Sequence, residues 1–136
     1  MDQALIFGYN TCANHSVSGR DAVMFDIDDT LIRTDGSQIN EMITLLSLCK
    51  TMKYTTVIIT ARPPDDQNIA NTRQQLTENG IHSDKLVFAS ASEKTRAKQM
   101  LGYNFILSVG DQWTDLGGSQ HIIKLPDMSD KNIYTQ

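Results

Sequence analysis

Cysteine, proline and tryptophan are scarce in this sequence, at two, three and one among 136 residues. Cys12 and Cys49 form neither a CxxC motif nor a disulfide framework, so they read as two reduced thiols. No run approaches the ~18 apolar residues that a membrane span needs. The opening stretch lacks a basic segment, and its apolar run Ala4 to Phe7 is too short for a secretory leader. A cytoplasmic protein with no membrane partner is the expectation. Excess positive charge is missing too. Twelve Lys and Arg face 16 Asp and Glu, a net charge of −4, which argues against a broad nucleic-acid surface. Hydrophobic residues make up 40% and charged residues 21%, values that exclude a disordered or collagen-like chain. A chain of this length can bury roughly 68% of its unfolded surface, so residues 1–136 read as a single domain without a structural metal.

Short β-branched runs alternate with helical stretches. Ala22 to Phe25 is an apolar strand that ends in acid. Gln38 to Lys53 carries Ile39, Met42, Ile43, Leu46, Cys49 and Met52 at helical spacing. Thr55 to Ile59 is a second strand, closed by Thr60-Ala61-Arg62-Pro63-Pro64. Asp66 to Asn79 reads as a helix and Leu86 to Ala89 as a strand. Ser90 with Glu93 resembles a capping box for a helix that runs to Gly102. Phe105 to Val109 and His121 to Lys124 complete the strands. This alternation predicts an α/β fold, a Rossmann-like parallel sheet with helices on both faces. In such sheets ligands bind at the carboxyl ends of the strands.

Those ends carry chemistry. Asp26 and Asp28 stand two apart after the first strand. Two carboxylates so close repel unless a cation or a shared proton intervenes, and a hard ion such as Mg²⁺ suits oxygen ligands. A solvated acidic turn is the plainer alternative. Thr60 ends the second strand, where its hydroxyl and the following backbone N–H groups could hold an anion. Lys94 lies in the first turn of a helix, opposing the helix dipole, which calls for an anionic partner. Gly110-Asp111 and Asp115 follow the fourth strand.

In this order the residues resemble the haloacid dehalogenase (HAD) superfamily. Asp26-Ile27-Asp28-Asp29-Thr30 matches its DxDx[TV] motif, Thr60 the Ser/Thr of its second, Lys94 its third, and Gly110-Asp111 through Asp115 its GDxxxD motif. Within it, FDIDDTL, ITARP, EKTRAKQ, VGDQWTDL and the late Lys124-Leu125-Pro126 are most similar to the acid-phosphatase branch of class B bacterial enzymes and plant vegetative storage proteins. The resemblance spans about residues 22–127. Asp29 departs from the Glu more usual there, and Ala61 from a frequent Gly.

The resemblance implies a Mg²⁺-dependent phosphomonoester hydrolase with an aspartyl-phosphate intermediate. Asp26 would be the nucleophile and Asp28 the acid and base. Asp26, the Asp28 carbonyl and Asp111 would hold Mg²⁺, while Thr60 and Lys94 would bind the phosphoryl group. Asp115 would belong to the metal site indirectly, orienting Lys94 or a metal-bound water. Ala61, Arg62 and Trp113 are the candidate substrate contacts flanking this set. Trp113 could stack on an aromatic leaving group, although partial burial against the sheet is the plainer reading. Arg62 could contact a second phosphate, lie in solvent, or pair with Asp65 or Asp66. Lys98, one turn beyond Lys94, reads as a solvated surface lysine.

Many HAD proteins carry a cap. Here 22 residues separate Thr34 from Val57 and 33 separate Thr60 from Lys94. One helix, one strand and a hairpin turn at Asp35-Gly36 account for them, so the chain reads as capless. An open site suits a small phosphomonoester or an exposed phosphate on a macromolecule, with a homo-oligomer as one way to close it. Two alternatives stand beside this reading. One is a nucleic-acid end-processing 3′-phosphatase, and the other a non-catalytic storage or binding protein, against which Asp26 argues.

Overall fold

The computed structural model describes residues 2–126. The tail of the expected domain, 127–136, lies outside them. Among the described residues, nine α-helices and β-strands follow in order: α1 (Asp2–Ala13), β1 (Asp21–Phe25), α2 (Asn40–Thr51), β2 (Thr55–Thr60), α3 (Asp66–Glu78), β3 (Lys85–Phe88), α4 (Lys94–Leu101), β4 (Asn104–Gly110) and β5 (His121–Lys124). The strands form one sheet in the order β3-β2-β1-β4-β5, and every pair is parallel. The α/β, Rossmann-like architecture is as expected.

Alternation along β1 divides the core in two. Val23 and Phe25 face a large cluster that includes Met42, Leu46 and Cys49 of α2, Leu76 of α3 and Cys12 of α1. Ala22 and Met24 face a smaller cluster with Val57, Ile59 and Phe105, against which Ala97 and Leu101 of α4 pack. Successive side chains on a strand point to opposite faces, so one apolar run serves both. Phe25 and Met24 are among the largest fully buried side chains. Burying each such group contributes ~1.5–3 kcal/mol.

Two boundaries differ from expectation for identifiable reasons. Gln38 stays extended, because Ile32 and Gln38 form an antiparallel bridge and the Gln38 amide donates to Asn79 Oδ1 at 2.9 Å. The helix therefore starts at Asn40. The Ser90–Glu93 capping box does not form. Ser90 makes no side-chain cap, and Ala91–Glu93 is a single 3₁₀ turn ahead of Lys94. The Asp35-Gly36 turn is present, closed by the Arg33 and Ser37 backbones at 2.8 Å.

The N-terminal helix α1 was not foreseen. It packs on α2 over β4 and β5. Sheet order reverses direction beside β1, between β2 on one side and β4 on the other. That switch point is where a parallel sheet opens a crevice at its carboxyl end.

Candidate active site

Asp26 follows β1 directly. Its backbone N–H donates to Val109 O at 3.0 Å, which pins the residue beside the end of β4. Asp111 follows β4. The two acidic positions are thus neighbours because β1 and β4 pair. An oxygen of the Asp111 carboxyl lies within 4.8 Å of one on Asp26. Lys94 opens α4, and its ammonium, 3% exposed as a residue, donates to Asp26 Oδ1 at 2.9 Å and Asp115 Oδ1 at 2.6 Å. A buried cation is held between two buried carboxylates.

Burial pushes the Asp26 carboxyl up to about 7 despite the Lys94 ammonium beside it. Burial also raises Asp111, with its hydrogen bond to Asp26 working in the opposite direction. Burial would lower Lys94, but the Asp26 and Asp115 charges outweigh it and raise it. Two buried carboxyls in contact need a proton or a cation between them.

One carboxylate oxygen from each of Asp26, Asp111 and Asp115 lies within 4.8 Å of the other two. These hard oxygen donors suit a divalent cation such as Mg²⁺. Asp115 is the least free of the three. Its Oδ1 takes the Lys94 ammonium, and its Oδ2 accepts the Gln112 backbone N–H at 3.1 Å. Both of its oxygens are thus engaged, one by Lys94 and one by the Gln112 main chain. Gly110 makes this possible, because a Cβ there would collide with the Asp115 side chain.

The cleft above these residues has a volume of about 280 Å³. It is lined by Asp26, Asp28, Ala61, Arg62, Ala91, Lys94, Asp111, Gln112, Thr114 and Asp115. Ala91, Gln112 and Thr114 escaped the sequence reading. Their only signal was adjacency to Lys94 and Asp111. Thr60 lies fully buried beneath this wall, and its Oγ1 accepts the Arg62 N–H at 3.2 Å. That bond shapes the turn and leaves the hydroxyl proton free to donate.

Three residues differ from expectation. Arg62 pairs with neither Asp65 nor Asp66. Its guanidinium grips Asp28 through Nε at 3.1 Å and Nη2 at 2.8 Å, while Nη1 donates to buried Thr72 Oγ1 at 3.2 Å. Asp65 instead caps α3 by accepting Asn68 N–H. Trp113 is 69% exposed, not buried against the sheet, and Lys124 Nζ stands 5.5 Å over its ring. It sits on the 3₁₀ turn Trp113–Asp115, which projects from the sheet end. Lys98 is not a surface lysine. It is 2% exposed and donates to Ser108 Oγ at 2.9 Å, Asp115 O at 2.5 Å and Gly117 O at 2.8 Å. Burial pushes its ammonium down to about 8. The i, i+4 spacing does put both lysines on one face, but Lys98 addresses main chain. Lys94 holds the side chain of Asp115 and Lys98 holds its carbonyl.

A parallel α/β sheet with acidic strand ends at the switch point and a buried lysine between carboxylates defines a phosphoryl-transfer class of site. Residues 33–132, more than half of the chain, match the family model of the HAD superfamily, subfamily IIIB (acid phosphatase), and the chain belongs to that family. It is accordingly a phosphatase. The matched stretch contains Thr60, Lys94, Asp111 and Asp115, while Asp26 and Asp28 stand just before it. No curated protein matches the chain. Among the described residues, no helix is long and apolar enough to cross a membrane.

Proposed function

We propose that the protein hydrolyses phosphomonoesters with Mg²⁺ through an aspartyl-phosphate on Asp26. The observation that carries this is the buried Lys94 ammonium between Asp26 and Asp115, with Asp111 alongside. An Asp26 oxygen attacks phosphorus, and the substrate alkoxide leaves. Asp28, half exposed at the rim, gives that alkoxide its proton and later takes one from the attacking water. Lys94 and the Thr60 hydroxyl hold the phosphoryl oxygens, while Asp115 keeps Lys94 aimed. Asp26, Asp111 and the Asp28 carbonyl would hold Mg²⁺, which when bound offsets the repulsion between nucleophile and phosphate and keeps Asp26 ionised. Arg62, anchored on Thr72, fixes the position of the Asp28 carboxylate.

The site is read as capless, since only a tight turn follows the Asp28 loop before α2. Ala61, Arg62 and exposed Trp113 then meet the leaving group directly, and Trp113 offers an aromatic face to it. An open cleft admits small phosphomonoesters and exposed phosphates alike. The test is hydrolysis of p-nitrophenyl phosphate, a nucleotide panel and a 3′-phosphorylated oligonucleotide side by side, with Mg²⁺ or EDTA. Turnover of the small esters that EDTA abolishes is the expected result. Mg²⁺-independent turnover, or none on any substrate, refutes the reading. Turnover of the oligonucleotide alone selects the 3′-phosphatase.

A further inference from the structure

The chain has two cysteines, 37 residues apart, and the fold brings them into contact. α1 and α2 meet through matching turns. Gly8 faces Leu45, and one turn later Cys12 faces Cys49, so the helices run parallel here. Gly8 sets the close spacing, because a Cβ there would stand 2.5 Å from Leu45 Cδ2. The sulfurs are 3.7 Å apart and both residues are buried. Tyr54 Oη donates to the Cys12 carbonyl at 2.8 Å and fixes that turn of α1. The Cys49 thiol donates to the Cys12 sulfur, not to a main-chain carbonyl.

From this geometry we propose that Cys12 and Cys49 are a redox site, closing to an intramolecular disulfide by exchange with a small-molecule disulfide and thereby tying α1 to α2. The sulfurs, already in contact, must close by about 1.7 Å to reach the ~2.05 Å bond. Cys12 lies on α1, the helix whose central glycine favours local opening, so it is the sulfur that such an opening carries into solvent and the one that attacks first.

The steps balance. The Cys12 thiolate attacks one sulfur of the small disulfide, whose S–S bond breaks and whose other half leaves as thiolate and takes up a proton. Cys49 then gives its proton to solvent and attacks the Cys12 sulfur, expelling the second half as thiolate. Two protein thiols are oxidised, and one small disulfide is reduced to two thiols. Both sulfurs are buried, so exchange proceeds through local opening of α1, a helix with a glycine at its centre. No residue of α1 lines the cleft, so the bond leaves the proposed catalytic residues in place.

The probe is oxidised glutathione, applied to the full chain in native buffer and in sub-denaturing urea. Free thiols are then counted after unfolding, alongside intact mass. The expected product is a monomer lighter by two hydrogens, with no free thiol and no glutathione adduct. Its melting temperature rises by about 5–10 °C, given the long loop closed, and dithiothreitol reverses the rise. In Cys49→Ala and Cys49→Ser, Cys12 should retain one glutathione, since the resolving sulfur is gone. Two thiols persisting under both conditions, a stable adduct on the native chain, a disulfide-linked dimer, or an unmodified Cys12 in both Cys49 variants would each overturn the proposal.

Discussion

Lys98→Met removes an ammonium and keeps most of the stem. Three hydrogen bonds vanish, to Ser108 Oγ, Asp115 O and Gly117 O. Bonds from a charged donor are worth ~1.5–3 kcal/mol each net, so together they amount to roughly 4–9 kcal/mol. Burial works against them. It pushes this ammonium from 10.5 to about 8, which means that holding the charge costs on the order of 3 kcal/mol. Methionine recovers that part. The difference leaves a loss of roughly 1–6 kcal/mol, seen as a fall of about 0.5–3 M in the urea midpoint.

Activity should fall for a separate reason. Through the Asp115 carbonyl, Lys98 anchors the turn that aims the Asp115 carboxylate at Lys94. A shift near 1 Å in a catalytic group can lower the rate by ~100-fold. At a temperature where the variant is fully folded, kcat should drop by about 10–100-fold with little change in KM. A surface lysine would change kcat/KM by less than about threefold. Because both lysines act on Asp115, Lys94→Met and Lys98→Met should also be markedly non-additive. Steady-state kinetics and urea unfolding on the same preparations decide the matter. If Lys98→Met keeps wild-type kcat and midpoint, its buried contacts are idle and the reasoning fails.

Asp26→Asn should abolish turnover while the protein still folds, because an amide cannot form the acyl-phosphate; wild-type turnover, with deamidation excluded by mass spectrometry, would refute the assignment. Asp111→Ala should raise the Mg²⁺ needed for half-maximal activity by at least about tenfold, whereas Asp115→Ala should chiefly lower kcat by freeing Lys94; Mg²⁺ titrations of both variants compare them, and equal shifts would mean that Asp115 is a direct ligand. Asp21 at the start of β1 accepts from the Ser18 backbone, His15 and Asn104, the Ser18 bond holding its carboxyl down at about 2 against desolvation. A depressed carboxyl contributes stability above its ordinary value near ~3.9 and loses it as pH falls toward 2; urea midpoints between pH 5 and pH 2 should therefore fall less steeply in Asp21→Asn than in the native chain.

What could be read in advance divides along a physical line. Asp26, Asp28, Thr60, Lys94, Asp111 and Asp115 lie at or just beyond the ends of strands or helices, and apolar runs mark those ends in the sequence. The central strands β1, β2 and β4 are buried on both faces, so they read as largely apolar stretches. α1 gave no such signal. Its buried positions are the small residues Gly8 and Cys12, while Ile6, Phe7 and Tyr9 point outward. Close approach of two helices selects small side chains, which erases the apolar stripe that periodicity detects. Lys98 was hidden for a different reason. Two of its three acceptors are the Asp115 and Gly117 carbonyls, and no side-chain identity reports where a carbonyl points. The usable hints were its four-residue spacing from Lys94 and the Gly117-Gly118 pair after Asp115, where a Cβ on Gly117 would strike Thr95 of α4. Arg62 shows the same limit among charges. Asp65 and Asp66 are nearer in sequence, but Asp65 is engaged as the cap of α3, and the guanidinium reaches across to Asp28. Proximity along the chain loses to proximity across the sheet end, because the parallel topology gathers the ends of β1, β2 and β4 at one edge of the molecule.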